Sequence, residues 1–182
     1  MKLLTGSTPI ALWRDIIHDA EAVCDAPLQE ELESYLVFLM VRYTDKPDIV
    51  KQVVAVDFLQ GMSLNTNARD IALQDVGDRC LLLSGLFPSI AQKKRVKMSY
   101  FVDLGRGAYD TLSKKNDDLY QLLAKQFVTL MDVLQCIRLH SKEFPDLLPL
   151  QAYELWNETG SQRALSVLRQ YTSALPLHLK SK

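Results

Sequence analysis

Apolar residues recur at intervals of three and four along most of the chain, with charged residues between them. This spacing gathers apolar side chains on one face of a helix. Residues 49–59 contain enough valine for a strand, but no other segment offers a pairing partner, so a short helix is expected there. The pattern predicts an all-α fold: a single-domain, multi-helix bundle of about seven to eight helices over residues 1–182, with an ordered core at about 8–175 and a loose basic tail at 176–182.

Prolines, glycines and capping side chains set the predicted helix boundaries. Thr8 and Pro9 start the first helix, because a hydroxyl caps the helix and proline suits its first position. Pro27 opens the second helix, and Gly160 with Ser161 separates the last two. The remaining predicted helices run from Ser63 or Asn65 to Phe87, from Val96 to Lys114, from Asn116 or Asp117 to about Glu143, and over 149–158 and 161–174.

Composition and charge exclude several classes of protein. The chain of 182 residues is 48% hydrophobic, which suits one domain with a sizeable core. A net charge of -1 makes nucleic acid an unexpected partner. The longest uninterrupted apolar run covers only residues 35–41, so no membrane span is expected. Cys24, Cys80 and Cys136 are far apart, which predicts reduced, buried thiols in a cytoplasmic protein without a metal or other cofactor.

The segment YLVFLMV, residues 35–41, is apolar on every side of its predicted helix. Such a segment is either surrounded by other helices of the same chain, which is favoured, or partly covered by another subunit. Because cyclic dimers are the commonest oligomers, we expect a symmetric homodimer with the second helix or the 147–174 helices at its interface. An unidentified protein partner is the alternative.

The centre of the chain, residues 74–109, holds four of the seven glycines. Gly77 and Gly105 lie within apolar helical stripes, where glycine costs about 1 kcal/mol relative to alanine. They are therefore predicted to mark a close crossing of two helices. Asp78 lies at the edge of the first stripe and lacks a helical neighbour able to pair with its carboxylate. A partner from another helix is required, because an unpaired buried charge costs several kcal/mol.

Arg106, at the border of the second stripe, is the predicted partner of Asp78. A guanidinium can hold a carboxylate through two parallel hydrogen bonds. Asp103 and Asp110, three residues before and four after Arg106, are its competing partners on the same helix. The pair Asp75 and Arg79 has the favourable i, i+4 order and is interpreted as a surface pair.

Three other charged or glycine-bearing motifs have ordinary interpretations. The basic segment from Lys93 to Lys97 would suit phosphate, but it lacks interleaved aromatic residues and a glycine-rich cradle, so a solvated turn is favoured. The G-x-G at Gly105 and Gly107 lies within a helix and not between a strand and a helix, which argues against dinucleotide binding. His18 lies on a polar helix face, which argues against a metal site with Asp15 and Asp19.

The run L-x-D-V-G-D-R-C-L-x-x-S-G-L-F-P, followed by S-Y-F-V-D-L-G-R-G-A-Y, resembles the signature of a family of small all-helical bacterial proteins. The resemblance covers residues 70–113, about a quarter of the chain. No activity, cofactor or partner is established for that family. It therefore implies no site residues.

Two classes of function remain open. A non-enzymatic interaction or regulatory module is favoured, because no nucleophile with a base, metal-ligand set or phosphate loop can be assembled from the motifs. The alternative is a small-molecule-binding protein or enzyme with an interior polar pocket formed by Asp78, Arg106 and Tyr109, joined by Asp103. There the arginine would clamp an anionic ligand and the tyrosine would donate a hydrogen bond. A closed ion pair at Asp78 favours the first class, and a cavity above about 300 Å³ favours the second.

Overall fold

The computed structural model describes residues 8–46, 48, 54–93, 95–114, 118–140 and 146–174. Every regular element in these ranges is helical, which confirms the predicted all-α class. The described chain contains ten helices instead of the predicted seven to eight. They are α1 Pro9–Cys24, α2 Glu30–Asp45, α3 Val54–Met62, α4 Thr66–Gly85, α5 Pro88–Lys93, α6 Met98–Ser113, α7 Asp118–Lys125, α8 Phe127–His140, α9 Pro149–Thr159 and α10 Gln162–Tyr171.

The larger number of helices has two sources. A short helix, α5, occupies the connection after Pro88, where the sequence predicted only a link between long helices. The single helix predicted to extend to about Glu143 is instead divided at Gln126 into α7 and α8. Gln126 donates to Leu122 O at 2.8 Å and accepts from Leu130 N at 3.0 Å, so backbone hydrogen bonds continue across the division. The prediction of one continuous helix is therefore wrong, although the two segments adjoin.

Capping side chains form at the predicted starts of α1 and α10, whereas α2 begins at Glu30 and not at the predicted Pro27. Thr8 Oγ1 accepts from Ala11 N at 3.2 Å, and Ser161 Oγ accepts from Ala164 N at 3.0 Å. Gly160 ends α9 with φ of 76°, a conformation that favours glycine. These starts and this stop confirm the boundary predictions for α1, α9 and α10.

Helix α4 is the centre of the bundle. Every residue from Val76 to Gly85 is buried, so this part of α4 is enclosed on all sides. It contacts α3, α5, α6 and α8, and side chains of α2 also reach it. Polar groups on this part of α4 must therefore find partners within the protein, because water cannot solvate them.

Glycines allow neighbouring side chains to approach α4 and α6 closely. A Cβ atom added to Gly77 would lie 2.7 Å from Tyr109 Cδ1 of α6. One added to Gly105 would lie 2.8 Å from Cys80 Cβ of α4 and 2.6 Å from Phe127 Cζ of α8. These distances are shorter than a carbon–carbon contact, so each glycine leaves space that a neighbouring side chain fills.

A disulfide between Cys24 and Cys136 links α1 to α8, with 6.4 Å between their Cα atoms. Cys80 is a buried free cysteine. The prediction of three reduced thiols is therefore wrong for Cys24 and Cys136. The packing of α1 against α8 brings together two residues that are 112 positions apart, and the sequence alone gives no sign of this contact.

Within the ranges described, no helix combines the length and apolar character that crossing a bilayer requires.

Candidate functional site

A buried carboxylate, Asp78, joins three helices at the centre of the protein. Its Oδ1 accepts hydrogen bonds from the hydroxyls of Tyr35 of α2 at 2.6 Å and Tyr109 of α6 at 2.7 Å. Its Oδ2 is paired with the Arg42 guanidinium of α2. Both oxygens of this fully buried side chain are therefore engaged by protein groups. We call Asp78, Tyr35, Tyr109 and Arg42 the Asp78 cluster.

The direction of α2 explains how two of its residues reach the same carboxylate. Tyr35 lies beside Asp78, and Tyr43 packs against Phe87 just beyond the end of α4, with ring centroids 5.6 Å apart. The two helices therefore run in the same direction. Tyr35 and Arg42 are seven residues, or about two turns, apart on one side of α2. Their long side chains converge on Asp78 from both ends.

Arg106 is not the partner of Asp78, so the predicted pair is wrong. Arg106 follows Gly105 by one residue, and a rotation of about 100° carries it away from the buried face of α6. Both Arg106 and Asp103 are exposed. Of the four predicted ligand-binding residues, the structure brings together only Asp78 and Tyr109. Tyr35 and Arg42 precede Asp78 by 43 and 36 residues, so no local pattern of α4 or α6 points to them.

Tyr109 depends on Gly77 for its position. Its ring lies against the backbone of α4 at Gly77, in the space that a side chain would occupy. The same position brings its hydroxyl to Asp78, the next residue of α4. Tyr109 is fully buried and packs beside the rings of Tyr35, Tyr120 and Phe127. Gly77 therefore provides the space that lets Tyr109 bind the carboxylate.

Burial dominates the ionisation of the Asp78 cluster. It raises the pKa of Asp78 above its ordinary value, although Arg42 and the two tyrosine hydroxyls act in the opposite direction. Burial also raises the pKa of Tyr35 and of Tyr109, and the neighbouring carboxylate raises both further. The two tyrosines therefore remain protonated donors at neutral pH.

Arg79, the residue after Asp78, links α4 to a different neighbour. Its guanidinium contacts Asp57 of α3 at 2.7 Å and Asp75, one turn earlier in α4, at 3.0 Å. The predicted Asp75 and Arg79 pair exists, but its interpretation as a surface pair is wrong because Arg79 is only 2% exposed. The packing of α3 over α4 covers the arginine, and Asp57 adds a second carboxylate.

A second buried carboxylate, Asp132 of α8, was not among the predicted site residues. It accepts from Ser161 Oγ at 2.5 Å, Gln162 N at 3.1 Å and Arg163 N at 3.3 Å. Asp132 therefore caps the start of α10 from another helix. Burial raises its pKa, while these donors act in the opposite direction. The Arg163 guanidinium extends this network, because it donates to Gln135 Oε1 at 3.1 Å and to Asp146 Oδ1 at 2.5 Å.

A cleft of about 260 Å³ lies between the start of α6 and helix α9. Apolar residues, including Met98, Leu147 and Leu155, line part of it. Its charged side chains come from both elements: Arg95 and Lys97 precede α6, and Glu154 and Glu158 belong to α9. Lys97 crosses to Glu158 with an Nζ to Oε1 distance of 2.5 Å, and this contact lowers the pKa of Glu158 while burial opposes it.

In the basic segment predicted as a solvated turn, the side chains of Arg95 and Lys97 are exposed. Lys97 is an exposed side chain that bridges two helices, and Arg95 lies at the cleft. The side chains of Lys93 and Lys94 lie outside the described part of the structure.

His18 is 3.6 Å from Glu21, and the described residues contain no group of histidine, cysteine and acidic side chains arranged to hold a metal.

Comparison with known proteins finds no matching family model, no similar curated protein and no similar solved structure.

Proposed function

We propose that this protein is a non-enzymatic interaction module that self-associates as a homodimer. The observation that carries the proposal is the closure of the Asp78 cluster. A catalytic or ligand-binding carboxylate needs an oxygen that can reach a substrate. Both oxygens of Asp78 are instead held by donors from α2 and α6, so the cluster fixes the relative positions of helices.

The outer side of α2 supports the self-association. Within the apolar segment 35–41, Leu36, Val37, Leu39 and Met40 are buried, whereas Phe38 is 60% exposed. A phenylalanine that is covered on association removes a large apolar area from water. The other predicted interface also exposes apolar side chains, with Leu148 at 62%, Leu150 at 68% and Tyr171 at 62%.

Sedimentation velocity at tens of micromolar tests the dimer. We expect a species of twice the 20.7 kDa chain mass. Phe38→Ser should shift the equilibrium toward monomer if α2 forms the interface, and Leu150→Ser should do so if α9 forms it. Val23→Ser is the matched control, because Val23 of α1 is also 60% exposed. A monomer at every concentration would overturn the proposed self-association.

The cleft between α6 and α9 favours a second candidate, a small-molecule-binding protein. Its apolar surface and its two signs of charge suit a small zwitterion with an apolar side chain, for which the carboxylates and cations supply separate partners. Binding would then occur at Arg95 and Glu154 and not at the predicted site of Asp78, Arg106, Tyr109 and Asp103.

Titration of isotope-labelled protein with L-leucine tests this candidate. We expect amide shifts at the cleft with leucine and weaker shifts with N-acetyl-leucine, which lacks the ammonium group. Glu154→Gln should reduce the response, whereas Glu31→Gln at an exposed position of α2 should leave it unchanged. Equal shifts with both compounds, or none at the cleft, would remove the candidate.

A further inference from the structure

We infer that Cys24 is a thiol–disulfide exchange site, at which a low-molecular-weight thiol opens the bond to Cys136 and releases α1 from α8. The disulfide joins a partly exposed cysteine to a buried one, and this difference supports the inference. Cys24 lies at the partly exposed end of α1, beside exposed Asp25, whereas Cys136 is only 4% exposed. An incoming thiolate therefore reaches the Cys24 sulfur first.

The exchange is balanced in two steps. The thiolate of the small molecule attacks Cys24 Sγ, the Cys24 to Cys136 bond breaks, and Cys136 leaves as a thiolate that takes a proton. A second thiolate then attacks the outer sulfur of the mixed disulfide, which frees Cys24 and yields the oxidised small molecule. Two small-molecule thiols thus supply the two electrons that reduce the protein disulfide.

The disulfide contributes much of the attachment of α1 to α8. Only Ile17, Ala20 and Glu21 of this 16-residue helix are buried, whereas eleven residues of α4 are buried. The packing of α1 against α2 and α8 is thus supported by few enclosed side chains. Helices with few buried contacts open locally at lower free energy than the core. Removal of the covalent link should therefore increase opening of α1 before the rest unfolds.

A hydrogen bond of Glu21 keeps the end of α1 attached to the α2 connection after reduction. Its carboxylate accepts a hydrogen bond from Leu28 N at 2.9 Å and fixes the connection to α2. Cys24 Sγ also lies 3.4 Å from the carbonyl oxygen of Asp132, which a reduced thiol could donate to. Reduction therefore replaces a covalent tie by a weak hydrogen bond and leaves the α1 to α2 turn in place.

Hydrogen exchange of the full chain tests the release. Oxidised protein is compared with protein reduced by dithiothreitol, with peptides covering α1 and α4 followed separately. We expect exchange of α1 amides to become at least tenfold faster on reduction and α4 to change by less than twofold. Equal α1 exchange in both states would overturn the release. Because both samples have the natural sequence, the comparison does not depend on the folding of a variant.

The exchange site itself is tested by treatment with oxidised glutathione. Cys136→Ser should form a mixed disulfide at Cys24, which peptide mass spectrometry locates. Cys24→Ser should react at Cys136 at least tenfold more slowly, because Cys136 is buried. Cys80→Ser provides the control: Cys80 is fully buried and burial raises the pKa of its thiol to about 12, so its removal should change neither result. Faster reaction at Cys136 than at Cys24 would overturn the assignment.

Discussion

Asp78 and Asp132 are both buried aspartates within helices, but they are stabilised in different ways. Side chains from α2 and α6 hold Asp78, whereas Asp132 is held by a hydroxyl and two backbone amides at the start of α10. The first arrangement joins three helices through long side chains. The second orders one helix end. A buried carboxylate can therefore organise the interior of a bundle or only the start of one element.

The largest predicted effect is on the free energy of unfolding, and it distinguishes the role of Asp78 from that of Asp132. Asp78→Ala should lower the free energy of unfolding by about 3 kcal/mol, because two tyrosine hydroxyls and a guanidinium lose their acceptor. Urea denaturation measures the change. Asp103→Ala on the exposed side of α6 is the control and should change stability by less than about 0.5 kcal/mol. A loss below about 1 kcal/mol at Asp78 would show that the cluster does not stabilise the core.

A slightly smaller effect is expected where Gly77 makes room for Tyr109. Gly77→Ala should cost about 2 kcal/mol, because the new methyl group overlaps the tyrosine ring and forces it from Asp78. Gly107→Ala is the matched change in a helix with no atom within 4 Å of the added carbon, and it should stabilise by up to about 1 kcal/mol. Thermal unfolding gives both signs. Stabilisation by both substitutions would contradict the role of Gly77.

Asp132→Ala should cost about 1.5 kcal/mol, the scale of a lost helix cap. The loss should be local, with faster hydrogen exchange at the start of α10 and little change in α4. Ser161→Ala, which removes the neighbouring hydroxyl, should affect the same amides. Uniformly faster exchange across the bundle would instead show that Asp132 acts as Asp78 does.

A double-mutant cycle separates the true partner of Asp78 from the predicted one. The coupling between Asp78→Asn and Arg42→Met should be about 1 kcal/mol, a modest value because the Arg42 side chain is 43% exposed. The cycle with Arg106→Met should give less than about 0.3 kcal/mol. Larger coupling to Arg106 than to Arg42 would reverse the assignment.

The smallest effect concerns pH. Burial raises the pKa of Asp78 and of Asp132, so the folded state binds their protons more tightly than the unfolded chain does. Their contribution to stability is fully present below the unfolded pKa of about 4 and is lost as pH rises through the folded values. As the pH falls from 7 to 4, the stability of the wild type should therefore increase relative to that of Asp132→Asn. Unfolding measured at several pH values checks this, and a difference independent of pH would contradict it.

The sequence predicted local features better than contacts between distant helices. The caps at Thr8 and Ser161 and the stop at Gly160 follow from neighbouring residues, and they were correct. The need of Asp78 for a partner was also evident from its position on α4. The identity of the guanidinium that pairs with Asp78 was not evident. Arg42 reaches Asp78 because α2 runs parallel to α4, and no local pattern specifies that arrangement.

Four further residues show the same limit. Cys24 and Cys136 meet only because α1 packs on α8. Arg79 was interpreted as exposed because its near neighbour Asp75 satisfied it, yet α3 covers it. Asp132 was overlooked because a single acid in an apolar stripe suggests no particular partner, and its donors lie in a helix that begins about thirty positions later.

The adjacency of Asp78 and Arg79 limits which changes of chain length α4 can accept. Successive residues of a helix point about 100° apart, and here they engage α2 with α6 on one side and α3 on the other. Deletion of one residue between Gly77 and Gly85 would rotate every later contact of α4 out of alignment with the earlier ones. Substitutions on exposed positions can accumulate freely, whereas insertions and deletions can be accommodated only outside this helix, for example at residues 63–65.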